Sequence, residues 1–311
     1  SAHEAKAPAA PGIHELTLAV ADLRSLIDWT PFFQTWELRG KYPDILDDDT
    51  VGTEARSLLA DAQALLDRVE VEGMLTPRAV LGLFPAASEG DDVHLYDDDR
   101  STVRATIHGL RQQFGKEGRE NYCLSDFVAP EGSGVEDWAG AFAVTAGRGL
   151  DAYVAEREAA HDDYQAILAR AVADRLAEAL AEWAHREVRT RLWGYAPDES
   201  LDNDALISEA YQGIRPAPGY PACPDHTEKR ILFDLLDVEA RIGIALTESC
   251  AMDPPPSVSG WYFAHPGARY FGVGRIGRDQ VEDYARRKGM DVDEVERWLA
   301  PTLGYEPEPA S

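Results

Sequence analysis

The sequence predicts an α+β fold: a single domain in which a twisted antiparallel sheet is flanked by helices. Three observations carry this. Apolar runs of strand length cluster at 78–110 and are punctuated by a tight Gly90-Asp-Asp turn, so neighbouring strands return antiparallel. Two long stretches, 51–74 and 161–192, carry apolar residues at helical spacing. Strands and helices come in separate runs rather than in βα alternation.

In chain order, residues 14–30 have irregular, helix-like apolar spacing and end in Asp28-Trp-Thr-Pro. Thr30-Pro31 caps a helix beginning at Pro31, where a missing N–H is tolerated. From the residues alone, Asp28 reads as a structural cap. Phe32, Phe33, Trp36 and Leu38 supply core bulk. Residues 51–74 place Ala55, Leu58, Leu59, Ala62, Leu65, Leu66 and Val69 on one helix face. Residues 78–85 and 93–96 read as a hairpin-like strand pair, 102–110 as a third strand. Residues 137–146 are a strand or an apolar helix end, which their period does not separate.

The longest helical pattern, 161–192, buries Tyr164, Ile167, Leu168, Ala171, Val172, Leu176, Leu180 and Trp183. Its opposite side carries an acidic stripe, Asp174, Glu178 and Glu182, which by itself reads as a solvated face. Arg186, Arg189 and Arg191 suit the negative end of the helix dipole. Beyond it come a helix at 228–238, a strand at 242–249, and two strands, 260–263 and 268–273, joined by His265-Pro-Gly. A helix at 280–288 closes on Gly289. Asp291 and Glu294 form a capping box for a last helix through Leu299. Residues 1–12 read as a linker and 307–311 as a flexible tail, leaving one domain at 13–306. A linker-like start also fits a C-terminal piece of a longer protein.

Arg215-Pro-Ala-Pro-Gly-Tyr-Pro-Ala-Cys-Pro-Asp-His-Thr-Glu-Lys229 is the chemically densest stretch. Four prolines remove four donors and fix φ, so it is neither helix interior nor central strand but a stiff, extended loop. Arg215 offers a planar fork for a carboxylate. Tyr220 offers a ring face to a base or a cation. The carbonyls of 215–221 are expected to be unpaired by helix or ladder and open to a ligand's amines. Carboxylate, cation and aromatic base together describe an amino-acid nucleoside such as S-adenosylmethionine; the alternative is a proline-rich turn with a salt-bridged arginine.

The composition, 44% hydrophobic and 28% charged over 311 residues, is that of a soluble globular chain. Thirty basic against 56 acidic residues, net −26, argue against nucleic acid and anionic membrane as partners. No run of eighteen apolar residues exists to span a membrane. Three widely spaced cysteines (123, 223, 250) favour a reducing compartment, so a cytoplasmic location is expected. Gly272-Val-Gly-Arg-Ile-Gly277 matches a dinucleotide fingerprint but has no room after it for the remaining strands. Cys223-Pro-Asp-His226 lacks a second closely spaced pair for zinc; Cys223 reads as core, and His226 as a site or interface imidazole.

Glu209-Ala-Tyr-Gln-Gly-Ile-Arg-Pro-Ala-Pro-Gly-Tyr-Pro-Ala-Cys-Pro-Asp-His-Thr-Glu-Lys229 resembles the signature of the reactivation domain of cobalamin-dependent methionine synthase. Ile27-Asp-Trp-Thr-Pro-Phe-Phe-Gln-Thr-Trp36, Leu124-Ser-Asp-Phe-Val-Ala-Pro130, Phe142-Ala-Val-Thr-Ala-Gly147, Ala173-Asp-Arg-Leu-Ala-Glu178 and Trp261-Tyr-Phe-Ala-His-Pro-Gly-Ala-Arg-Tyr-Phe271 extend the resemblance over roughly residues 14–306. The resemblance implies a domain that binds S-adenosylmethionine and presents its methyl group to reduced cobalamin held by a neighbouring domain. The parent methyltransferase moves a methyl group from methyltetrahydrofolate to homocysteine. When its cobalamin is oxidised, an electron arrives from flavodoxin or a related flavoprotein, and the zinc lies in the homocysteine domain.

The resemblance carries ligand-binding roles to Asp28, Glu178, Glu209, Arg215, Ala217, Tyr220, Tyr270 and Phe271, and facing of the cobalamin module to Asp174 and His226. No residue is assigned a catalytic acid–base role. The chain carries no cobalamin-binding DxHxxG run, so alone it is not expected to make methionine. Flavodoxins are usually acidic, and docking one on a chain at −26 requires a local basic patch such as 186–191 or 286–288. The rival from another class is a ligand-binding or flavoprotein-docking module with no chemistry of its own. A self-contained Rossmann-type methyltransferase would need a glycine-rich loop after a first strand, which this chain lacks.

Overall fold

The structure, a computed structural model, describes residues 5–115, 118 and 120–307. The chain enters on β1 (Gly12–Thr17), passes two 3₁₀ turns at 20–26, and forms the short helix α1 (Thr30–Thr35). The apolar spacing of 14–30 is therefore strand and turn, not helix. Thr30 is the first helical residue, and its backbone N–H is taken by Asp28 Oδ1 at 3.0 Å. The side chain that meets the start of the helix is thus that of Asp28, two residues before Thr30 and three before Pro31.

The long amphipathic pattern forms α2 (Gly52–Glu72), stopped by Gly73 in the left-handed region at φ 64°. β2 (Arg78–Glu89), β3 (Asp92–Tyr96), β4 (Val103–His108) and β5 (Asp137–Thr145) follow, the last settling 137–146 as strand. α3 (Leu150–Ala159) leads into α4 (Asp163–Glu187), and 188–192 continues as a wide π turn. In the first turns of α4, Ala166, Leu168 and Ala169 are buried, while Tyr164 and Ile167 are exposed rather than buried as the period suggested.

α5 (Asn203–Ile207) precedes the proline-rich loop. Then come α6 (Glu228–Leu236), α7 (Val238–Ile242) and the two-residue strands β6 (Ala245–Leu246) and β7 (Met252–Asp253). The expected strand at 242–249 shrinks to those two residues because Gly243, at φ 73°, ends α7 inside it. β8 (Ser257–Tyr262) is followed by irregular chain through 268–273, where a strand was expected. α8 (Arg278–Lys288) closes on Gly289 as predicted. α9 (Val292–Trp298) begins at Asp291, whose side chain makes no capping bond, so the capping box is not formed.

β1 to β5 and β8 form one antiparallel sheet in the order β4-β3-β2-β5-β8, with β1 and β3 sharing the same edge of β2. Along β2, Ala79, Leu81 and Leu83 face one core, while Val80, Phe84 and Ala86 face the other. Both faces are buried, which is why this strand reads as a continuous apolar run rather than an alternation. α2 and α4 cover the first face through residues such as Leu58, Leu65, Leu176 and Leu180. α6 and α7 cover the second through Leu232, Leu236, Val238 and Ile242. α8 and α9 make a smaller third core with Leu110, Val273 and Ile276.

Residues just before β1 lie against the end of the long helix. Ala10 donates its N–H to Leu192 at 2.8 Å, and Trp193 Nε1 donates to the Lys6 carbonyl at 2.7 Å. Residues 1–4 and 308–311, parts of the expected linker and tail, lie outside the described residues. Among the described residues no helix is long and apolar enough to cross a membrane.

Candidate functional site

β8 ends the sheet, and the proline-rich loop covers its open edge. Ile214 and Phe263 exchange both backbone bonds, at 2.9 and 3.1 Å, and Trp261 donates to the Pro216 carbonyl at 2.9 Å. Pro216 has no N–H to continue the ladder, so the chain pairs briefly and turns away. The edge is thereby protected, and Arg215 and Ala217 are set beside β8.

Further bonds stiffen the loop. Gly219 N–H donates to Cys223 O at 2.7 Å, Tyr220 N–H to Ala217 O at 3.1 Å, Cys223 N–H to Tyr220 O at 2.9 Å, and Val273 N–H to Pro221 O at 2.8 Å. The expectation that carbonyls 215–221 stand free is therefore corrected: those of 216, 217, 220 and 221 are spent on backbone donors. The loop holds its shape by these bonds and offers a ligand mainly side chains. Gly219 has φ +93°, and a Cβ there would meet the His226 ring at 2.2 Å. Only glycine fits this turn.

Between this loop, α4 and β8 lies a cavity of about 480 Å³. Seven of the residues expected at the site line it together: Glu178, Glu209, Arg215, Ala217, Tyr220, Tyr270 and Phe271. Phe142 from β5, Val258 from β8, and Pro216, Pro221 and Ala222 complete an apolar floor. Asp28 lines an adjoining polar recess of about 160 Å³ that shares Glu178, Glu209 and Arg215 with the cavity. His226 is on the far side of the Tyr220 wall, in a third recess with Glu178, Ala217 and Lys229. Asp174 is exposed one turn before Glu178 and lines none of these three spaces.

Arg215 is the electrostatic centre. Its guanidinium is 21% exposed and meets Glu182 Oε2 at 3.1 Å through both terminal nitrogens. Burial would weaken its hold on the proton, but the Glu182 charge, with Tyr211 and Tyr270 beside it, raises its pKa above the usual arginine value. Its backbone N–H donates to the Tyr270 hydroxyl at 3.0 Å, and that hydroxyl meets the Tyr211 hydroxyl at 3.1 Å. Burial pushes the Glu209 carboxyl up against the opposing pull of Arg215. Glu209 sits in the left-handed region at φ 57°. Burial, reinforced by Lys229, keeps the His226 pKa low; its Nδ1 meets Lys229 Nζ at 2.9 Å. Burial likewise pushes the Cys223 thiol well above its ordinary value, so it is a core group rather than a nucleophile.

Glu182 is the partner of Arg215 that the sequence does not reveal. It appeared as the third member of a solvated stripe but is 7% exposed and holds Arg215 across 33 residues of chain. Arg189, read as a cation at a helix end, is fully buried and bonds Glu199 through Nε and Nη2 at 2.8 Å each. The glycine-rich 272–277 run leads from irregular chain into α8, not from a strand.

The sequence model of the family described as vitamin B12 dependent methionine synthase, activation domain, matches residues 19–289. Among solved structures, the chain is similar to the crystal structure of the MetH reactivation domain bound to AdoHcy. The TM-score is 0.96 at 57% identity, covering 98% of this chain and 94% of that one. A match of that extent, on a fold of that likeness, means that this chain belongs to the activation-domain family of vitamin B12-dependent methionine synthase.

Proposed function

We propose that this chain binds S-adenosylmethionine in the cavity beside Arg215 and presents its methyl group to cobalamin carried by a neighbouring domain, so reactivating a methionine synthase. The observation that carries the reading is the clamped Arg215 at the wall of an otherwise apolar cavity with an acidic rim. S-adenosylmethionine needs an anion site, a cation site and a flat apolar surface. Arg215 suits its carboxylate. Glu178, Glu209 and Asp28 line the adjoining recess and suit its ammonium and ribose hydroxyls. Tyr220, 63% exposed, and the Tyr270–Phe271 pair suit the purine, with Ala217 leaving room beside them. A volume of about 480 Å³ is in the range of small-molecule sites. The similar reactivation domain with AdoHcy bound, a ligand differing by the sulfonium methyl, supports the same choice.

Reduced cobalamin, when its own domain docks here, supplies the nucleophile. This chain's residues bind and orient. The sulfonium needs no acid to leave, so no proton-transferring residue is assigned. Holding donor and acceptor in line is worth several kcal/mol, up to about 10. Asp174 and His226, both outside the main cavity, are the residues we assign to the cobalamin module. In this reading the domain spans 13–306, the electron comes from flavodoxin or a related flavoprotein, and zinc belongs to the parent enzyme's homocysteine domain. Three free, buried cysteines support a reducing, cytoplasmic setting.

Calorimetric titration with S-adenosylmethionine, wild type beside Arg215→Ala, tests the reading. Loss of a charge-assisted pair costs about 1.5–3 kcal/mol, roughly ten- to a hundredfold in affinity. Equal binding by both proteins would overturn it.

A further inference from the structure

We infer that Glu182 is the positioning residue that keeps Arg215 available to the ligand, and that it is held by a buried chain of alternating charge. The inference rests on the assignment of Arg215 to the ligand carboxylate. Glu182 stands on α4 one turn beyond Glu178. One of its oxygens, Oε2, takes both terminal nitrogens of Arg215 at 3.1 Å. The other faces Arg189 Nη2 at 3.5 Å. Arg189 is anchored in turn by its two bonds to Glu199, and its guanidinium carbon lies 4.3 Å from the Tyr211 ring centroid. Glu199, Arg189, Glu182 and Arg215 therefore alternate in sign from the interior to the cavity wall. Arg189 projects from the wide π turn at 188–192, an irregularity that recurs at functional sites.

Two opposing effects act on a ligand carboxylate at Arg215. The Glu182 charge repels it, while the Glu182 contact fixes the fork that receives it. The other acids of the cavity decide the balance. Glu178 and Glu209 line the same cavity and interact electrostatically with Arg215. With Glu182 neutralised, they become the nearest anions open to Arg215. The guanidinium then turns into the cavity and is spent on the chain's own acids. Arg189 cannot substitute as a carboxylate receptor, because Glu199 already holds it bidentately. Orientation therefore outweighs repulsion, and loss of the Glu182 charge weakens ligand binding.

The test is calorimetric titration of wild type and Glu182→Gln with two ligands: S-adenosylmethionine and its decarboxylated form, which keeps the sulfonium, amine and nucleoside. A positioning role predicts that Glu182→Gln loses about tenfold in affinity for S-adenosylmethionine and stays within about twofold for the decarboxylated ligand. A parallel loss for both ligands would mean general damage to the fold and overturn the inference, as would unchanged binding of S-adenosylmethionine. Failure of the wild type to bind S-adenosylmethionine would instead overturn the site assignment itself, and the inference with it.

Discussion

The Tyr270 hydroxyl accepts the backbone N–H of Arg215 at 3.0 Å while meeting the Tyr211 hydroxyl at 3.1 Å. One phenol thus ties irregular chain after β8 to the arginine in the cavity wall. Tyr270→Phe keeps the ring and removes this acceptor. It is expected to cost about 1 kcal/mol in urea unfolding and to weaken S-adenosylmethionine binding several-fold, because the start of the loop loses its tether. Unchanged stability and affinity would show that the bond contributes nothing.

Gly219 tests the stiffness of the loop. A side chain there must tolerate φ +93° and displace the His226 ring. Gly219→Ala is expected to destabilise the fold by about 1–3 kcal/mol and to weaken ligand binding by moving Tyr220. Circular dichroism melts and titration calorimetry report the two effects separately.

His185 gives the fold a pH dependence. It is fully buried, stacked on Tyr262 at 5.2 Å, and edge-on to Tyr211 at 4.9 Å. Burial, then the charges of Arg189 and Arg215, hold its pKa well below the ordinary value of 6.5. The unfolded chain takes up a proton near that ordinary value and the folded chain does not. Stability therefore falls as pH drops below it. The contribution is about 1 kcal/mol between pH 6.5 and 5.5. His185→Phe keeps an aromatic stack without the proton, so the wild-type loss over this window should exceed the variant's by that amount. Urea titrations at the two pH values measure the difference.

Lys288 holds a second buried network. Its Nζ meets Asp225 Oδ2 at 2.5 Å and Glu228 Oε1 at 2.6 Å, and all three side chains are at most 6% exposed. Asp225 opens Asp-His-Thr-Glu, the end of the site loop, so this network anchors the loop to α8. Lys288→Met leaves two buried carboxylates uncompensated and is expected to cost about 3–5 kcal/mol. Burial would raise the Asp225 carboxyl, but Lys288 and the bonds from Thr227 outweigh it and lower its pKa. The wild-type advantage is therefore present at neutral pH and lost as pH falls through that lowered value. Guanidinium unfolding of both proteins across acidic pH checks this.

The long helices were legible because their apolar residues keep the helical period over many turns, whereas the helix-like spacing of 14–30 is short and irregular and belongs to strand and turn. The strands β2 to β4 were legible from their length and the turns between them. β1 was not: its half-buried residues acquire strand pairing only from β2, some sixty residues away in sequence. The 268–273 segment looks like a strand because it is a short run rich in aromatic and β-branched residues. The fold uses it instead to lay Tyr270 and Phe271 against the cavity. The motifs named seven residues that the fold brings together around one cavity. Glu182 was not, since an acidic stripe on a helix gives no sign of which member a distant arginine will claim.

Whether Arg215 receives the ligand carboxylate is read directly from a crystal structure of this chain grown with S-adenosylhomocysteine. The ligand carboxylate is expected within about 3 Å of the Arg215 guanidinium, with Glu182 still behind it and the purine against Tyr220 or the Tyr270–Phe271 pair. A ligand seated without contact to Arg215, for instance in the neighbouring hollow beside Tyr122 and Arg269, would contradict it.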